Sequence, residues 1–208
     1  MKASIVFTLN RLLLYFRNTL TYAAGFGSPV SRDIWEQQYS NGDWRFLDSD
    51  QERHHHNAIA SLYKKLGKDG RLLDIGCGPG VLRSALSFVP DERYMGIDLS
   101  EEAIRQARHK FPSTPFFQGN AENLLLEDRF DVLIFNEVVY YFARPCDTVK
   151  KYLSKLTPNG LIIISMCRYP GHDSIWRGLD RFLNAAETIS CKSDDAREWV
   201  IKAYRVAD

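Results

Sequence analysis

The sequence lacks a hydrophobic run long enough to cross a membrane. A membrane-spanning helix needs about 20 consecutive, mostly apolar residues, and no such run occurs among the 208 residues. The first 20 residues include a short apolar stretch, but Asn10, Arg11 and Arg17 interrupt it, which is not the pattern of a secretory signal. We therefore expect a cytoplasmic protein without stable membrane insertion.

Cysteine is scarce, and its spacing excludes two structural roles. The four cysteines are Cys77, Cys146, Cys167 and Cys191, and none belongs to a C-x-x-C pair. This spacing favours free thiols over a disulfide framework or a zinc site. We predict no metal site.

The chain also lacks an excess of charge of either sign. It has 27 basic and 26 acidic side chains, so its formal net charge is +1. Proteins that hold nucleic acid through its phosphates usually carry a strongly basic surface, so we expect no nucleic-acid partner. The length suits one α/β domain with a modest appendage, and the sequence leaves the oligomeric state open.

The sequence pattern changes near residue 70. Residues 1–66 read as helices and loops: an amphipathic helix at 3–20, a linker at 23–30 that contains glycine and proline, and a helix at 50–66. The first helix has three interpretations, namely packing on the domain, acting as a lid or partner-binding element, and touching a membrane surface. We predict that residues 1–66 form a helical cap and lid, and that residues 67–208 form the main domain.

Short apolar runs alternate with helical patterns after residue 70. Strands are predicted at 71–75, 93–97, 130–135, 160–166, 186–191 and 198–206. Helices are predicted at 79–89, 100–110, 145–156 and 173–183. This alternation is typical of a parallel sheet covered by helices on both faces, and the last two strands suggest a terminal hairpin.

A glycine-rich turn follows the first of these strands. Residues 72–80 read LLDIGCGPG, so an apolar strand carrying Asp74 leads into Gly76, Gly78 and Gly80. Glycines let the backbone approach a ligand closely, and ligands of such sheets bind at the carboxyl ends of the strands. The G-x-G-x-x-G pattern of dehydrogenases would need glycine where the chain has Val81, and no Gly-Lys-Ser/Thr of a P-loop follows.

This turn resembles motif I of the class I methyltransferases that depend on S-adenosylmethionine (SAM). A second strand ends at Asp98, 24 residues after Asp74 (98 − 74), where an acid can accept hydrogen bonds from ribose hydroxyls. The resemblance implies that Leu99 packs on adenine and that the Asn120 segment contacts the adenine amino group, although many relatives carry Asp at that position. It implies SAM contacts from Asp74, Gly76, Cys77, Gly78, Gly80, Asp98, Leu99, Asn120, Ala121, Glu122 and Asn136.

The resemblance also implies a complete fold. We expect an α/β, doubly wound, mainly parallel seven-stranded sheet with an antiparallel last strand. The helical N-terminal cap would lie over the carboxyl edge of the sheet.

A short stretch after the apolar run at 130–135 is similar to the nodulation-protein-S type N-methyltransferases. Residues 136–142 read NEVVYYF, and those enzymes methylate an amine on an oligosaccharide. Glu137 is a candidate for acceptor binding or proton removal, or alternatively an acid at a helix N-terminus. Tyr140 is a candidate pocket residue, and His172 is a candidate base because histidine titrates near neutral pH. A capping or solvated role for His172 is the alternative.

Three aromatic residues in the N-terminal segment have two competing interpretations. Trp35, Tyr39 and Trp44 can cover the cofactor and contact its sulfonium through cation–π attraction, or they can anchor the segment to the core.

The triplet at 54–56 is all histidine. Neighbouring helical residues point about 100° apart, so three in a row do not converge on one metal ion. We expect solvated or partly packed histidines, with His54 as the one that faces the pocket.

The predicted function is transfer of a methyl group from SAM to a nitrogen or oxygen of a small molecule, such as a sugar or other natural-product intermediate. One alternative is a SAM-binding partner protein without catalysis. The other is an NAD(P)-dependent oxidoreductase that shares the fold.

Overall fold

The computed structural model describes residues 17–67 and 69–205. Helix α1 is described over residues 17–23. The other helices are α2 (Arg32–Asn41), α3 (Asp50–Leu66), α4 (Val81–Ala85), α5 (Glu101–Lys110), α6 (Pro145–Leu153) and α7 (His172–Leu179). The strands are β1 (Leu72–Ile75), β2 (Tyr94–Asp98), β3 (Phe116–Gln118), β4 (Phe130–Asn136), β5 (Leu156–Cys167), β6 (Asn184–Lys192) and β7 (Glu198–Arg205).

The seven strands form one sheet in the order β3-β2-β1-β4-β5-β7-β6. Strands β1 to β5 pair in parallel, whereas β7 runs antiparallel to both β5 and β6. This arrangement confirms the predicted doubly wound sheet with an antiparallel last strand. The strand order reverses between β1 and β4, and such a reversal opens a crevice at the carboxyl ends of the two strands.

Burial on both faces explains why the central strands read as continuous apolar runs. Every residue of β1 is buried, and Val132–Phe135 of β4 are fully buried as well. One apolar cluster lies on each face of the sheet, and α3 contributes Ile59, Leu62 and Tyr63 to one of them. Each such side chain stabilises the fold by roughly 1.5–3 kcal/mol relative to an exposed position.

Several element bounds differ from the sequence prediction. The helix expected at 79–89 ends at Ala85, because the guanidinium of Arg83 donates to the carbonyl oxygens of Leu86 (2.6 Å) and Val89 (3.0 Å) and so satisfies a non-helical turn. Strand β5 begins at Leu156 rather than at 160, with a break in its register opposite β4. Helix α2 and the three-residue strand β3 had not been assigned from the sequence.

The N-terminal predictions are met in part. Helix α3 has the predicted bounds of 50–66. Helix α1 ends at residue 23, and the part of the predicted helix before residue 17 lies outside the described residues. The boundary between cap and main domain at 66/67 stays a prediction. No described helix is long and apolar enough to cross a membrane.

Candidate active site

A cavity of about 480 Å³ opens at the carboxyl ends of β1 and β4, underneath α2. It brings together nearly all of the residues proposed from the sequence. The predicted residues that line it are Trp35, Tyr39, Trp44, Asp74, Gly76, Cys77, Gly78, Asp98, Leu99, Asn120, Ala121, Glu122, Asn136, Glu137 and Tyr140. Gly80 and His172 do not line it.

The glycine turn forms the floor of the cavity. Gly76, Gly78 and Gly80 have φ values of 73°, 53° and 78°, a region that side chains disfavour. The backbone N–H groups of Gly76 and Cys77 both donate to the carbonyl oxygen of Ile97, at 2.8 and 3.0 Å. This ties the end of β1 to β2. Gly80 is the N-cap of α4 and shapes the turn from outside the cavity.

Asp98 is held rigidly beside this turn. Its two carboxylate oxygens accept hydrogen bonds from the backbone N–H groups of Ser100 (2.9 Å) and Gly78 (2.8 Å). Burial raises the pKa of Asp98 to about 6, although these backbone bonds act to lower it. Near neutral pH the side chain is therefore mostly an anion, fixed in orientation and able to accept further hydrogen bonds.

Two buried oxygen atoms next to the glycine turn have no hydrogen-bond partner. They are Oδ1 of Asp74 and Oδ1 of Asn136. The other oxygen of Asp74 accepts a hydrogen bond from the hydroxyl of Tyr94, and burial raises the pKa of Asp74 to about 7. Unsatisfied buried acceptors are costly, and a ligand that carries an ammonium group would satisfy them.

The loop after β3 is organised by its own hydrogen bonds. Oδ1 of Asn120 accepts from the backbone N–H of Glu122 (2.9 Å), and the hydroxyl of Tyr152 donates to the carbonyl oxygen of Ala121 (3.0 Å). The side chain of Glu122 accepts from the backbone N–H of Ala143 (2.9 Å). Together with Leu99, this loop gives the cavity a wall with fixed polar groups.

Helix α2 and the residues after it cover the cavity with aromatic rings. The ring of Trp35 lies 6.1 Å from Tyr39 and 5.4 Å from Trp44, and it meets the ring of Tyr141 edge-on at 5.0 Å. The rings therefore pack on one another while they line the cavity, so covering and anchoring are compatible roles. Glu36 in the same helix bonds to the start of α5, a contact that the sequence did not indicate.

Glu137 stands just after β4 in a strained backbone conformation, with φ of 54°. Its Oε1 accepts from the hydroxyl of Ser165 (3.0 Å), and its Oε2 accepts from the backbone N–H of Cys167 (2.9 Å) and the hydroxyl of Tyr140 (3.1 Å). Burial raises the pKa of Glu137 to about 7 against these bonds, and the charge of Glu52 raises it further. Strain of this kind in non-glycine residues clusters at functional sites.

His172 lies behind Tyr140 rather than in the cavity. Its ring stacks on Tyr140 with centroids 4.5 Å apart, and Nδ1 lies 2.8 Å from the carbonyl oxygen of Cys167. The side chain is buried, and burial lowers its pKa. This placement suits a residue that positions Tyr140 and β5.

The structure adds cavity residues that sequence reasoning missed. His55 and His56 are buried and line the cavity, whereas His54 is exposed and does not. Burial lowers the pKa of His55 to about 2 and that of His56 to about 4, so both are neutral. Helical spacing of apolar residues in α3 was the signal that could have placed 55 and 56, since both precede the buried Ile59 by one turn.

Three further side chains complete this part of the cavity. Glu52 in α3 forms an ion pair with Arg197, which precedes β7, and Trp199 stacks on His55 with centroids 4.8 Å apart. Glu52, Arg197 and Trp199 all line the cavity. They come from segments more than 140 residues apart, so no local pattern in the sequence connects them.

The residues present fit SAM. The glycine floor leaves no room for side chains, because a Cβ on Gly76 would lie 2.5 Å from Cγ2 of Val138. Asp98 offers a fixed carboxylate for ribose hydroxyls, and the orphan oxygens of Asp74 and Asn136 match an α-ammonium group.

Comparison with known proteins identifies the family. A family model described as "Methyltransferase domain" matches residues 66–202. The chain is 33% identical over 126 residues to malonyl-[acyl-carrier protein] O-methyltransferase of Halalkalibacterium halodurans, a match that spans 57% of this chain and 45% of that relative. The matched part is thus less than half of the relative's length.

Solved structures share the fold. The N-methyltransferase NodS of Bradyrhizobium japonicum, in complex with S-adenosylhomocysteine (SAH), aligns with a TM-score of 0.70 at 19% identity over 85% of this chain and 98% of its own. The 1,6-didemethyltoxoflavin-N1-methyltransferase of Burkholderia thailandensis aligns with a TM-score of 0.69 at 18% identity, over 85% of this chain and 87% of its own. The predicted resemblance is confirmed: this chain belongs to the methyltransferase domain family, whose cofactor is SAM.

Proposed function

We propose that this chain transfers a methyl group from SAM to a nitrogen or oxygen atom of a small molecule, with a sugar or other natural-product intermediate as the preferred acceptor. The observation that carries this proposal is one continuous cavity. The glycine turn and Asp98 line it together with Glu137, a carboxyl group of raised pKa. Cofactor and acceptor can therefore meet in one space.

Different side chains would bind the cofactor and the acceptor in such a reaction. Asp98 would accept hydrogen bonds from the ribose hydroxyls, and the Asn120 loop would hold the adenine. SAM supplies a methyl group on a positively charged sulfur. Glu137 would orient the acceptor and take up its proton, since a pKa of about 7 suits proton transfer near neutral pH. Holding two reactants in the correct orientation can lower the activation barrier by about 7–11 kcal/mol.

A small acceptor is supported by how closely the cavity is covered. The rings of Trp35, Tyr39 and Trp44 lie over it, and Tyr39 is itself buried. Water exclusion strengthens the electrostatic interactions inside such a site. The names of the matched proteins include both N- and O-methyltransferases, so both acceptor atoms stay within the proposal.

Isothermal titration of the full chain with SAM, SAH and NAD tests the cofactor half of the proposal. We expect SAM and SAH to bind and NAD not to bind. Asp98→Ala should weaken SAM binding at least about 100-fold, because two hydrogen bonds to a charged group are lost. Asp33→Ala, an exposed change in α2, is the matched control. Equal affinities for SAM and NAD, or an Asp98→Ala variant with unchanged SAM affinity, would refute the assignment.

Catalysis is tested by following transfer of a radiolabelled methyl group from SAM to a panel of amino sugars, hydroxylated sugars and aromatic natural-product precursors. Turnover that falls about 100-fold or more in Glu137→Gln, with SAM affinity within about threefold of the wild type, is the expected result. SAM binding without methylation of any panel member would instead favour a non-catalytic SAM-binding protein.

A further inference from the structure

Acidic side chains outnumber cationic side chains in the lining of the cavity. Among the described residues that line the whole cavity, five are acidic and two are cationic. The acidic residues are Glu52, Asp74, Asp98, Glu122 and Glu137, and the cationic residues are Arg32 and Arg197. The two buried histidines of the lining, at 55 and 56, are neutral.

Both cationic side chains are already engaged by carboxylates. Arg32 pairs with Glu36 and Glu101, each at 3.3 Å, at the outer edge of the lid. The guanidinium of Arg197 directs Nη1 to the buried carboxylate of Glu52 and Nε to Asp195 (3.0 Å). The charge of each arginine is thus offset by two carboxylates.

Glu52 is the carboxylate in the cavity lining that pairs with Arg197. Its side chain is 4% exposed and points from the first turn of α3 towards the start of β7. A carboxylate-bearing acceptor would need a free arginine to offset its desolvation. With Glu52 in place, such an acceptor would meet the carboxylate of Glu137, which accepts hydrogen bonds but has no cationic partner among the described residues, so like charges would oppose its binding.

We propose that Glu52, by occupying Arg197, sets the charge of the acceptor end, so that this cavity takes an amine and rejects a carboxylate. The inference rests on the proposed methyltransferase function and narrows its acceptor class. It also separates this chain from relatives whose names specify malonyl or trans-aconitate acceptors.

An amine fits the remaining groups and gives a balanced reaction. An ammonium ion entering the cavity is attracted by ionised Glu137 and passes one proton to it. The freed nitrogen lone pair then forms the N–C bond to the methyl group, while the S–C bond breaks and its electron pair stays on sulfur. The positive charge moves from sulfur to nitrogen, and the proton leaves Glu137 when product departs.

A buried nitrogen atom of the cavity lining is available for recognition of the acceptor. Nδ1 of His55 is buried and has no hydrogen-bond partner. It lies 3.7 Å from Oε2 of Glu52, too far for a good hydrogen bond. A neutral imidazole in this position can bond to a second polar group of the acceptor, and its stacking on Trp199 keeps the ring in place.

The experiment compares ligands of opposite charge in the binding site, independently of turnover. Sinefungin has a carbon that bears an amine where SAM has its methylated sulfur, whereas SAH has the sulfur without the methyl group. Isothermal titration gives the ratio of their affinities. In parallel, the melting temperature of the SAH complex is measured in ethylammonium chloride and in sodium acetate at equal ionic strength. The variants are Glu52→Gln and Glu137→Gln, with Glu127→Gln, an exposed residue outside the cavity, as the control.

We expect the wild type to bind sinefungin at least about fivefold more tightly than SAH, and to be stabilised more by ethylammonium than by acetate. Glu137→Gln should reduce the affinity ratio to about one. Glu52→Gln should leave Arg197 paired with Asp195 alone and reverse the preference between the two small ions, because Nη1 of the guanidinium then has no carboxylate partner, while Glu127→Gln behaves like the wild type. A wild type stabilised at least as much by acetate, or a Glu52→Gln variant with the wild-type preference, overturns the proposal.

Two further outcomes remain interpretable. If Glu52→Gln does not fold, the wild-type comparison and Glu137→Gln decide the question. Failure of the wild type to bind SAH at all contradicts the proposed function itself, whereas SAH binding without an ammonium preference contradicts only the amine assignment.

Discussion

The carboxylate of Glu36 in the lid helix α2 accepts a hydrogen bond from the hydroxyl of Ser100 at 2.8 Å, although 64 residues separate the two in the chain. The same carboxylate accepts from the backbone N–H groups of Glu101 (2.6 Å) and Glu102 (2.9 Å). Glu36 thus caps the N-terminus of α5 from a different helix. Burial acts to raise its pKa, but the backbone hydrogen bonds prevail, and the pKa of Glu36 is lowered.

Glu36→Gln should loosen the lid over the cofactor. The neutral amide keeps one acceptor oxygen but loses the charge that favours a helix N-terminus, which contributes about 1–2 kcal/mol. We expect SAM affinity, measured by isothermal titration, to fall about 5- to 30-fold with little change in the stability of the core. Asp33→Asn, an exposed change on the same helix, should leave affinity unaltered. Equal affinities in both variants would show that the cap does not hold the lid.

Asp74→Asn should change how stability depends on pH. Burial raises the pKa of Asp74 to about 7 from an ordinary value of 3.8. The wild-type carboxyl therefore favours the folded state fully below about pH 4, and this contribution is lost as pH rises through 7. Relative to the wild type, the variant should gain stability between about pH 4 and pH 7, with little further change at higher pH.

Thermal unfolding of both proteins across that pH range measures this effect. Each 1 kcal/mol corresponds to about 2–4 °C in a chain of this size. A difference in melting temperature between Asp74→Asn and the wild type that does not move with pH would mean that Asp74 is not the titrating group.

His172 variants distinguish a positioning role from a role as base. His172→Phe keeps an aromatic ring against Tyr140 but loses the bond to the carbonyl oxygen of Cys167. We expect kcat to fall at most about tenfold, with an unchanged pH profile. His172→Ala should destabilise the fold by about 2–3 kcal/mol through the cavity it leaves.

The measurements are methyl transfer to the acceptor identified in the panel, as a function of pH, and thermal unfolding. A catalytic base would behave differently. Both variants would lose about 10²- to 10⁴-fold in kcat, and the limb of the pH profile that belongs to the imidazole would disappear.

Gly76→Ala tests the glycine floor. The substitution places a Cβ 2.5 Å from Cγ2 of Val138 at a φ of 73°, so it adds a steric clash to backbone strain. Gly25→Ala is the matched control, because Gly25 has a φ of 83° and no atom of the described residues lies within 4 Å of a Cβ added there. We expect a loss of about 1–2 kcal/mol for Gly25→Ala from strain alone and a clearly larger loss for Gly76→Ala, together with weaker SAM binding. Chemical denaturation compares the two, and equal losses would show that Val138 yields without cost.

Local sequence patterns determined most of the strands and the glycine turn with Asp98. The apolar run at 72–75, the glycines after it and Asp98 at the next strand end lie within short stretches of chain. Their meaning depends on backbone geometry that neighbouring residues dictate. The end of α3 at Leu66 followed from the glycines at 67 and 70, which end a helix. Weak local signals failed for β3, which has only three residues, and for α2, whose polar composition resembles a loop.

Only the tertiary structure decided what surrounds Glu137. Burial of His55 and pairing of Glu52 with Arg197 depend on α3 lying against the start of β7. Glu52 and Arg197 are 145 residues apart in the chain. The position of His172 behind Tyr140 likewise depends on how α7 returns to the sheet. Side-chain pKa values and charge balance arise from burial and from partners distant in the chain, so the cofactor side could be read from sequence motifs, whereas the acceptor side required the fold.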